Sequence, residues 1–150
     1  MIRGDSVSDR DPYDLNRFIS TQEWVFDRAL SELRGGMKRT HWMWYIFPQI
    51  DGLGYSPTAR LYAIKSLEEA RQYLSHPILG ARLKECAEAV LSVQGRSASD
   101  IFGYPDDMKL QSSMTLFELV AGPRSVFERV LEKYYQGKKD AGTLQIVGKL

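Results

Sequence analysis

Between His41 and Gln49 the chain sets two tryptophans, a tyrosine, a phenylalanine and a methionine into nine positions, with an imidazole at one end and a primary amide at the other. Few side chains here can move a proton at neutral pH, and His41 heads them, because an unperturbed imidazole titrates close to neutrality. Asp51 and Asp107 are the secondary candidates. Beyond Pro48-Gln49, the loop Asp51-Gly52-Leu53-Gly54-Tyr55 runs into Ser56-Pro57, an N-cap followed by proline at the first helical position. A glycine loop feeding a helix start offers free backbone N–H groups and the positive end of the dipole, a common way to hold phosphate or carboxylate. Arg60 follows one turn later and adds a charge-assisted fork. The plainer account of the same residues is that the aromatics are core packing and that Gly52 and Gly54 serve a tight turn needing positive φ.

A second stretch, Asp107 to Phe117, places Ser112, Ser113 and Thr115 inside a segment of helical periodicity. Hydroxyls are poor helix formers unless they bond back to the preceding turn or a close neighbour requires small polar groups. Close helix packing explains them. The functional alternative makes Lys109, Ser112 or Ser113 the far wall of a pocket bounded by His41 and Arg60.

Other chemistries are excluded by what is missing. The Gly-x-Gly of the loop lacks the third glycine and preceding strand of a dinucleotide fingerprint, and no Gly-Lys-Ser/Thr follows it. Two histidines and one cysteine, at 41, 76 and 86, cannot close a structural zinc site, and neither His-Glu-x-x-His nor a Gly-x-Ser-x-Gly elbow occurs. No metal and no cofactor is expected. His76, before Pro77, suits a capping role. Cys86 falls at helical spacing among Leu79, Leu83, Ala87 and Val90, as a small core residue does. Lys38-Arg39 and Lys138-Lys139 are short pairs at helix ends, expected there for solubility and dipole reasons. With a formal net charge of +1 and no basic stripe, nucleic acid is not the expected partner.

The elements that must position these residues read as helices. Ser20 and Glu23 form a capping-box pattern ahead of Phe26, Ala29, Leu30 and Leu33, ending at Gly35-Gly36. Ser66 and Glu69 repeat it before Leu67, Ala70, Tyr73 and Leu74; His76-Pro77 closes that helix and opens the next, which runs to about Val93. The segment 41–49 reads as a helix apolar nearly all round, hence central. After a polar linker at 96–99 and a short turn at Ile101-Phe102, Asp106 or Asp107 caps a helix through Leu110, Met114, Phe117 and Val120 that Gly122-Pro123 ends. Ser125 caps another, ending at Gly137. Residues 140–150 fit either a helix or a strand, and no segment shows a strand's alternation. The expectation is an all-α, compact multihelical domain over residues 13–150, of short helices joined by Gly/Pro turns, behind a flexible tail at 1–12.

Composition agrees. At 150 residues, 43% hydrophobic and 26% charged, the chain is the size and balance of one globular domain. Its first residues lack a signal-like apolar run, and no stretch approaches the roughly 20 apolar residues of a membrane span, so a cytoplasmic chain without a membrane partner is expected. Arg3-Gly4-Asp5 is read as a chance tripeptide in the tail.

The run His41-Trp-Met-Trp-Tyr-Ile-Phe-Pro-Gln49, then Gly52-Leu-Gly54-Tyr-Ser56, Tyr62-Ala-Ile64, Glu69-Ala70, Tyr73-Leu-Ser-His76-Pro77 and Lys109-Leu-Gln-Ser112-Ser113-Met-Thr115-Leu-Phe117, resembles the domain of unknown function family numbered 1810, from about residue 12 to the C-terminus. Tyr45 stands where that family usually has phenylalanine. The resemblance implies an all-α multihelical fold and no activity. Its occasional label, calpastatin, does not suit a compact domain without extended inhibitory repeats. It transfers no catalytic residue.

The function expected from the residues is a small-molecule site, binding or enzymatic, for an anionic, nucleotide-like or phosphorylated ligand. It would be built from His41, Trp44, Gln49, Gly52, Gly54, Ser56 and Arg60, with Lys109 and Ser113 opposite. The alternative is a helical protein-interaction module, its aromatic segment in the core and a protein partner on an outer groove. The first requires His41 and Arg60 to face one concavity.

Overall fold

The first long helix, α1 (Asn16–Arg34), begins one turn earlier than the Ser20–Glu23 pattern predicts. The reason is a carboxylate further upstream: Asp11 accepts the backbone N–H of Leu15 at 2.7 Å and of Asn16 at 2.9 Å, and so satisfies donors that a helix start leaves orphaned. These coordinates, a computed structural model, describe residues 10–149, so most of the expected tail, with Arg3-Gly4-Asp5, lies outside the described residues.

Among the described residues eight further helices follow: α2 (Met43–Ile46), α3 (Pro57–Leu61), α4 (Leu67–Ser75), α5 (Leu79–Ser92), α6 (Ala98–Phe102), α7 (Asp106–Ala121), α8 (Val126–Tyr135) and α9 (Ala141–Val147). The chain is all-α. The described residues contain no strand, only one isolated parallel bridge between Ile50 and Ile64.

Local chemistry explains most boundaries. Ser66 Oγ and Ser125 Oγ accept from Glu69 N and Glu128 N at 3.0 and 3.2 Å, as N-caps do. The expected linker at 96–99 is itself a helix start, because Ser97 and Asp100 form a reciprocal capping box. His76 caps α5: its Nδ1 accepts the N–H groups of Ile78 and Leu79 at 3.1 and 3.3 Å. The open segment after residue 140 is helical. Asp140 Oδ2 takes the Thr143 N–H at 2.8 Å and the Thr143 hydroxyl at 2.7 Å, and the β-branched Ile146 and Val147 are held by packing against the core.

In the packing, α1 lies on α5, α7 on α8 and α4, and α5 on α8. The core at their centre contains Phe18, Leu33, Trp42, Phe47, Tyr73, Leu83, Phe117 and Phe127, all buried. Tyr73 meets Phe18 edge-on at 5.1 Å, and its hydroxyl accepts from Gln22 Nε2 at 3.0 Å. The same Gln22 nitrogen donates to the carbonyl of Tyr45 at 2.7 Å, which ties the aromatic segment to α1. Cys86 is a buried core thiol whose pKa burial pushes up to about 12, so it stays protonated and inert. The α4–α5 corner admits only glycine at position 80, where a Cβ would lie 1.9 Å from the Leu74 carbonyl oxygen. Among the described residues no helix is long and apolar enough to cross a membrane.

Candidate functional site

The aromatic segment is core, as its composition suggests, but helical over only four residues. Pro48 lacks an N–H and disfavours helical geometry at Phe47, whose φ and ψ are −123° and 73°. Trp42, Met43, Ile46, Phe47 and Ile50 are buried, while Trp44 and Tyr45 are half-buried.

What fixes the entry to this segment is Glu32, a helix residue with no sequence signal of importance. Its carboxylate accepts four bonds: Arg39 N–H at 2.8 Å, Thr40 N–H at 3.1 Å, Thr40 Oγ1 at 2.7 Å and Trp42 Nε1 at 2.8 Å. Burial alone would raise this carboxyl, but the bonds from Arg39, Thr40 and Trp42 outweigh it and hold the pKa at about 2. Trp42 is thereby drawn inward. His41, between Thr40 and Trp42, is left exposed and makes no hydrogen bond among the described residues.

At the other end, Gln49 is pinned by its backbone. Its carbonyl accepts Ile64 N–H at 2.8 Å, and Asp51 N–H reaches the Ile64 carbonyl at 2.8 Å. The residue is 7% exposed, yet its side-chain amide has no hydrogen-bond partner among the described residues. That amide lines a cavity of about 300 Å³ between the 44–54 segment, the start of α7 and α9, together with Trp44, Leu53, Gly54, Tyr104, Pro105, Met108, Lys109, Ser112, Asp140 and Gly142.

A chain of alternating charges backs the cavity. Lys109 Nζ lies 4.1 Å from the centroid of the Trp44 ring and 3.3 Å from Asp106 Oδ1. Asp106 Oδ2 is 2.9 Å from Lys38 Nζ, which also donates to the Thr40 carbonyl at 2.7 Å. Lys38 is therefore no solvated flank: its side chain is 7% exposed and 5.1 Å from the Trp42 ring. Lys139 likewise stands 3.0 Å from Glu118. The ring of Trp44 has its cation already in place, a contact worth about 0.5–2 kcal/mol.

Of the residues expected to form one site, Trp44, Gln49, Gly54 and Lys109 do meet at this cavity. Ser113 does not. It is fully buried with an unpaired hydroxyl, and Ser112, one residue earlier, takes the cavity wall while its Oγ donates back to the Met108 carbonyl at 3.1 Å. Thr115 bonds back to Gln111 in the same way at 2.8 Å. Gly52 is the turn residue of the plainer account, with φ +109° and its α-carbon facing Ile146. Gly54 answers to close approach: a Cβ there would lie 2.7 Å from that of Ala59 and 3.4 Å from Trp44. Ser56 spends its oxygen on Ala59 N–H at 3.1 Å as the N-cap of α3, which is only five residues long, and does not line the cavity.

Arg60 is exposed in a different depression, of about 390 Å³, beside Tyr13, Arg17, Lys65 and Glu69. His41 lines neither, and the single concavity that would have joined the two is not formed. Sequence reasoning missed Asp140, Tyr104 and Met108. Asp140 had a signal, an Asp three residues before Thr143, as at an N-cap; Tyr104 and Met108 had none. Among the described residues no three His, Cys, Asp or Glu side chains gather as metal ligands.

Comparison with known proteins agrees with the fold. The model of a family described as a protein of unknown function, DUF1810, matches residues 12–147. The chain is similar to the conserved hypothetical protein Rv1873 from Mycobacterium tuberculosis, known from a crystal structure. The two are 51% identical, with a TM-score of 0.90 over 92% of this chain and 99% of that one. No curated protein matches.

Proposed function

From its geometry we propose that this chain, which belongs to the DUF1810 family, carries a small-molecule site in the cavity at Gln49, for a nucleotide-like or phosphorylated ligand bearing an anionic group. The observation behind this reading is the Gln49 amide. In a residue only 7% exposed, this amide makes no hydrogen bond within the chain and opens to the cavity, where a ligand can take up both its donor and its acceptor. Lys109 is the cation that meets the anionic group, oriented by Asp106 and the Trp44 ring. Tyr104, 79% exposed, offers an open aromatic face at the same cavity. The reading is one of binding and assigns no reaction.

A thermal-shift screen with nucleotides and sugar phosphates tests it, since a ligand at 100 times its Kd stabilises by about 2.7 kcal/mol. Gln49→Leu should remove the shift, Lys109→Met should reduce it, and Arg60→Ala should keep it. A shift that survives Gln49→Leu but is lost in Arg60→Ala would move the site to the Arg17 cleft and overturn the proposal.

The alternative, a protein-interaction module, has one observation in its favour: Trp24 on α1 is 84% exposed. An apolar ring left in water is worth explaining, although single exposed apolar residues are common. A partner that co-purifies with the wild type but not with Trp24→Ala, and ignores Gln49→Leu, would support it.

A further inference from the structure

The charges at the cavity do not sum to an anion trap. Lys109, the lining cation, is already paired with Asp106 at 3.3 Å, which Lys38 shares at 2.9 Å, and Asp140 adds a carboxylate to the wall itself. Asp140 Oδ2 is spent on the N–H and hydroxyl of Thr143, while Oδ1 takes no hydrogen bond among the described residues. A carboxylate oxygen beside a cavity repels phosphate and accepts from N–H or O–H. Gln49 offers, in one plane, both an N–H donor and a carbonyl acceptor with no other use. Aromatic surface comes from Tyr104 and the edge of Trp44. A volume of about 300 Å³ sits at the small end of ligand pockets, which run from about 300 to 1,000 Å³, and suits one ring system with its sugar rather than a dinucleotide.

We infer that the part of the ligand entering this cavity is an uncharged, planar, N–H-bearing ring, a nucleobase in chemical class, whose edge is read by Gln49 and Asp140, and that any phosphate remains at the rim near Lys109. This rests on the site proposed above and deepens it. A planar edge with adjacent donor and acceptor satisfies the Gln49 amide and the free Asp140 oxygen together; a bare phosphate satisfies neither acceptor. Specificity then comes from polar groups that an analogue lacking the donor would leave unpaired.

Titration of the full chain, followed by the NMR signals of the Gln49 side-chain amide and the Trp44 indole, tests this. The probes are guanosine, adenosine, cytidine and uridine with their 5′-monophosphates, purine riboside, ribose 5-phosphate and inorganic phosphate. Purine riboside keeps ring and sugar but has no exchangeable N–H on its base. We expect at least one nucleoside to saturate the site, its monophosphate to bind within about threefold, and purine riboside to bind at least about tenfold more weakly. Asp140→Asn should weaken the nucleoside by about tenfold, one charge-assisted bond. That variant keeps the fold, because asparagine caps as well as aspartate. The cap holds its amide oxygen against Thr143 N–H, so the NH₂ turns to the cavity as a donor where an acceptor stood. Unchanged nucleoside affinity in Asp140→Asn overturns the inference, as does ribose 5-phosphate or phosphate binding at Gln49 while nucleosides do not; in the latter case the site itself stands. If no probe moves the Gln49 or Trp44 signals, both readings fall.

Discussion

Two polar depressions of similar size, the cleft at Arg17 and the cavity at Gln49, use buried hydrogen-bonding groups in opposite ways. In the first, every arm of the Arg17 guanidinium is occupied. Nε donates to the Leu61 carbonyl at 2.8 Å; Nη1 to Tyr13 and Asp14 at 2.6 and 2.8 Å; Nη2 to the Ala63 carbonyl at 2.8 Å and Glu69 Oε2 at 2.7 Å. The remaining Glu69 oxygen takes Lys65 N–H at 2.9 Å. In the second, an amide of comparable depth has nothing to bond. Burial of polar groups therefore does not by itself mark function: Arg17 and Glu69 are fully spent on holding the 61–69 connection to α1, whereas Gln49 keeps its capacity for something else.

The comparison breaks most visibly at Arg17. Arg17→Ala would leave Glu69 charged and 2% exposed, and removing one partner of a buried pair costs about 3–5 kcal/mol. Urea unfolding should show that loss, with ligand affinity of the folded fraction unchanged. A cost below about 1 kcal/mol would mean that the cleft is not structural and that its polar groups are available for binding.

Next in size is an acid limb set by Glu32. Its folded pKa, about 2, lies below its ordinary 4.5, so its stabilisation is present above pH 4.5 and is lost as pH falls from there through about 2. Because the carboxylate is partly solvated, the loss should be about 1–2 kcal/mol, less than the shift alone would give. Denaturant midpoints at pH 6 and pH 3 measure it, and Glu32→Gln should flatten the difference. An equally steep acid limb in Glu32→Gln would place the titrating group elsewhere.

These two residues also show what could be read from the sequence. Helices with local signals were legible: serine caps before α3, α4 and α8, glycine stops, and the His76-Pro77 corner, where His76 indeed caps. Two local signals were passed over: Asp11, whose carboxylate starts α1 ahead of the Ser20 pattern, and Pro48, which ends the aromatic helix at Ile46. For the candidate site, local density drew attention to the 41–54 stretch, and Trp44, Gln49 and Gly54 line one cavity with Lys109. His41 and Arg60 do not, because the path of the chain at 40–42 is dictated by Glu32, ten residues from Trp42, and that at 60–65 by Arg17 and Glu69. Asp140 comes from the far end of the chain. Which amide opens to a cavity is a property of the assembled fold, and no spacing rule could have singled out Gln49 from Gln22, whose amide is fully used.

The smallest expected effect is the most discriminating. In Gln49→Leu an amide that makes no hydrogen bond within the chain and opens to the cavity is replaced by an apolar group of similar size. Stability should stay level, within about 1 kcal/mol, against the large loss at Arg17. Most buried substitutions destabilise, so a neutral or positive result at a residue 7% exposed carries weight. Read by thermal unfolding without ligand, a clear fall in Tm would show that the Gln49 amide contributes to the fold, and the contrast between the two depressions would disappear. A level Tm in the same variant that no longer responds to ligand would mark Gln49 as a residue that the fold does not use and the ligand does.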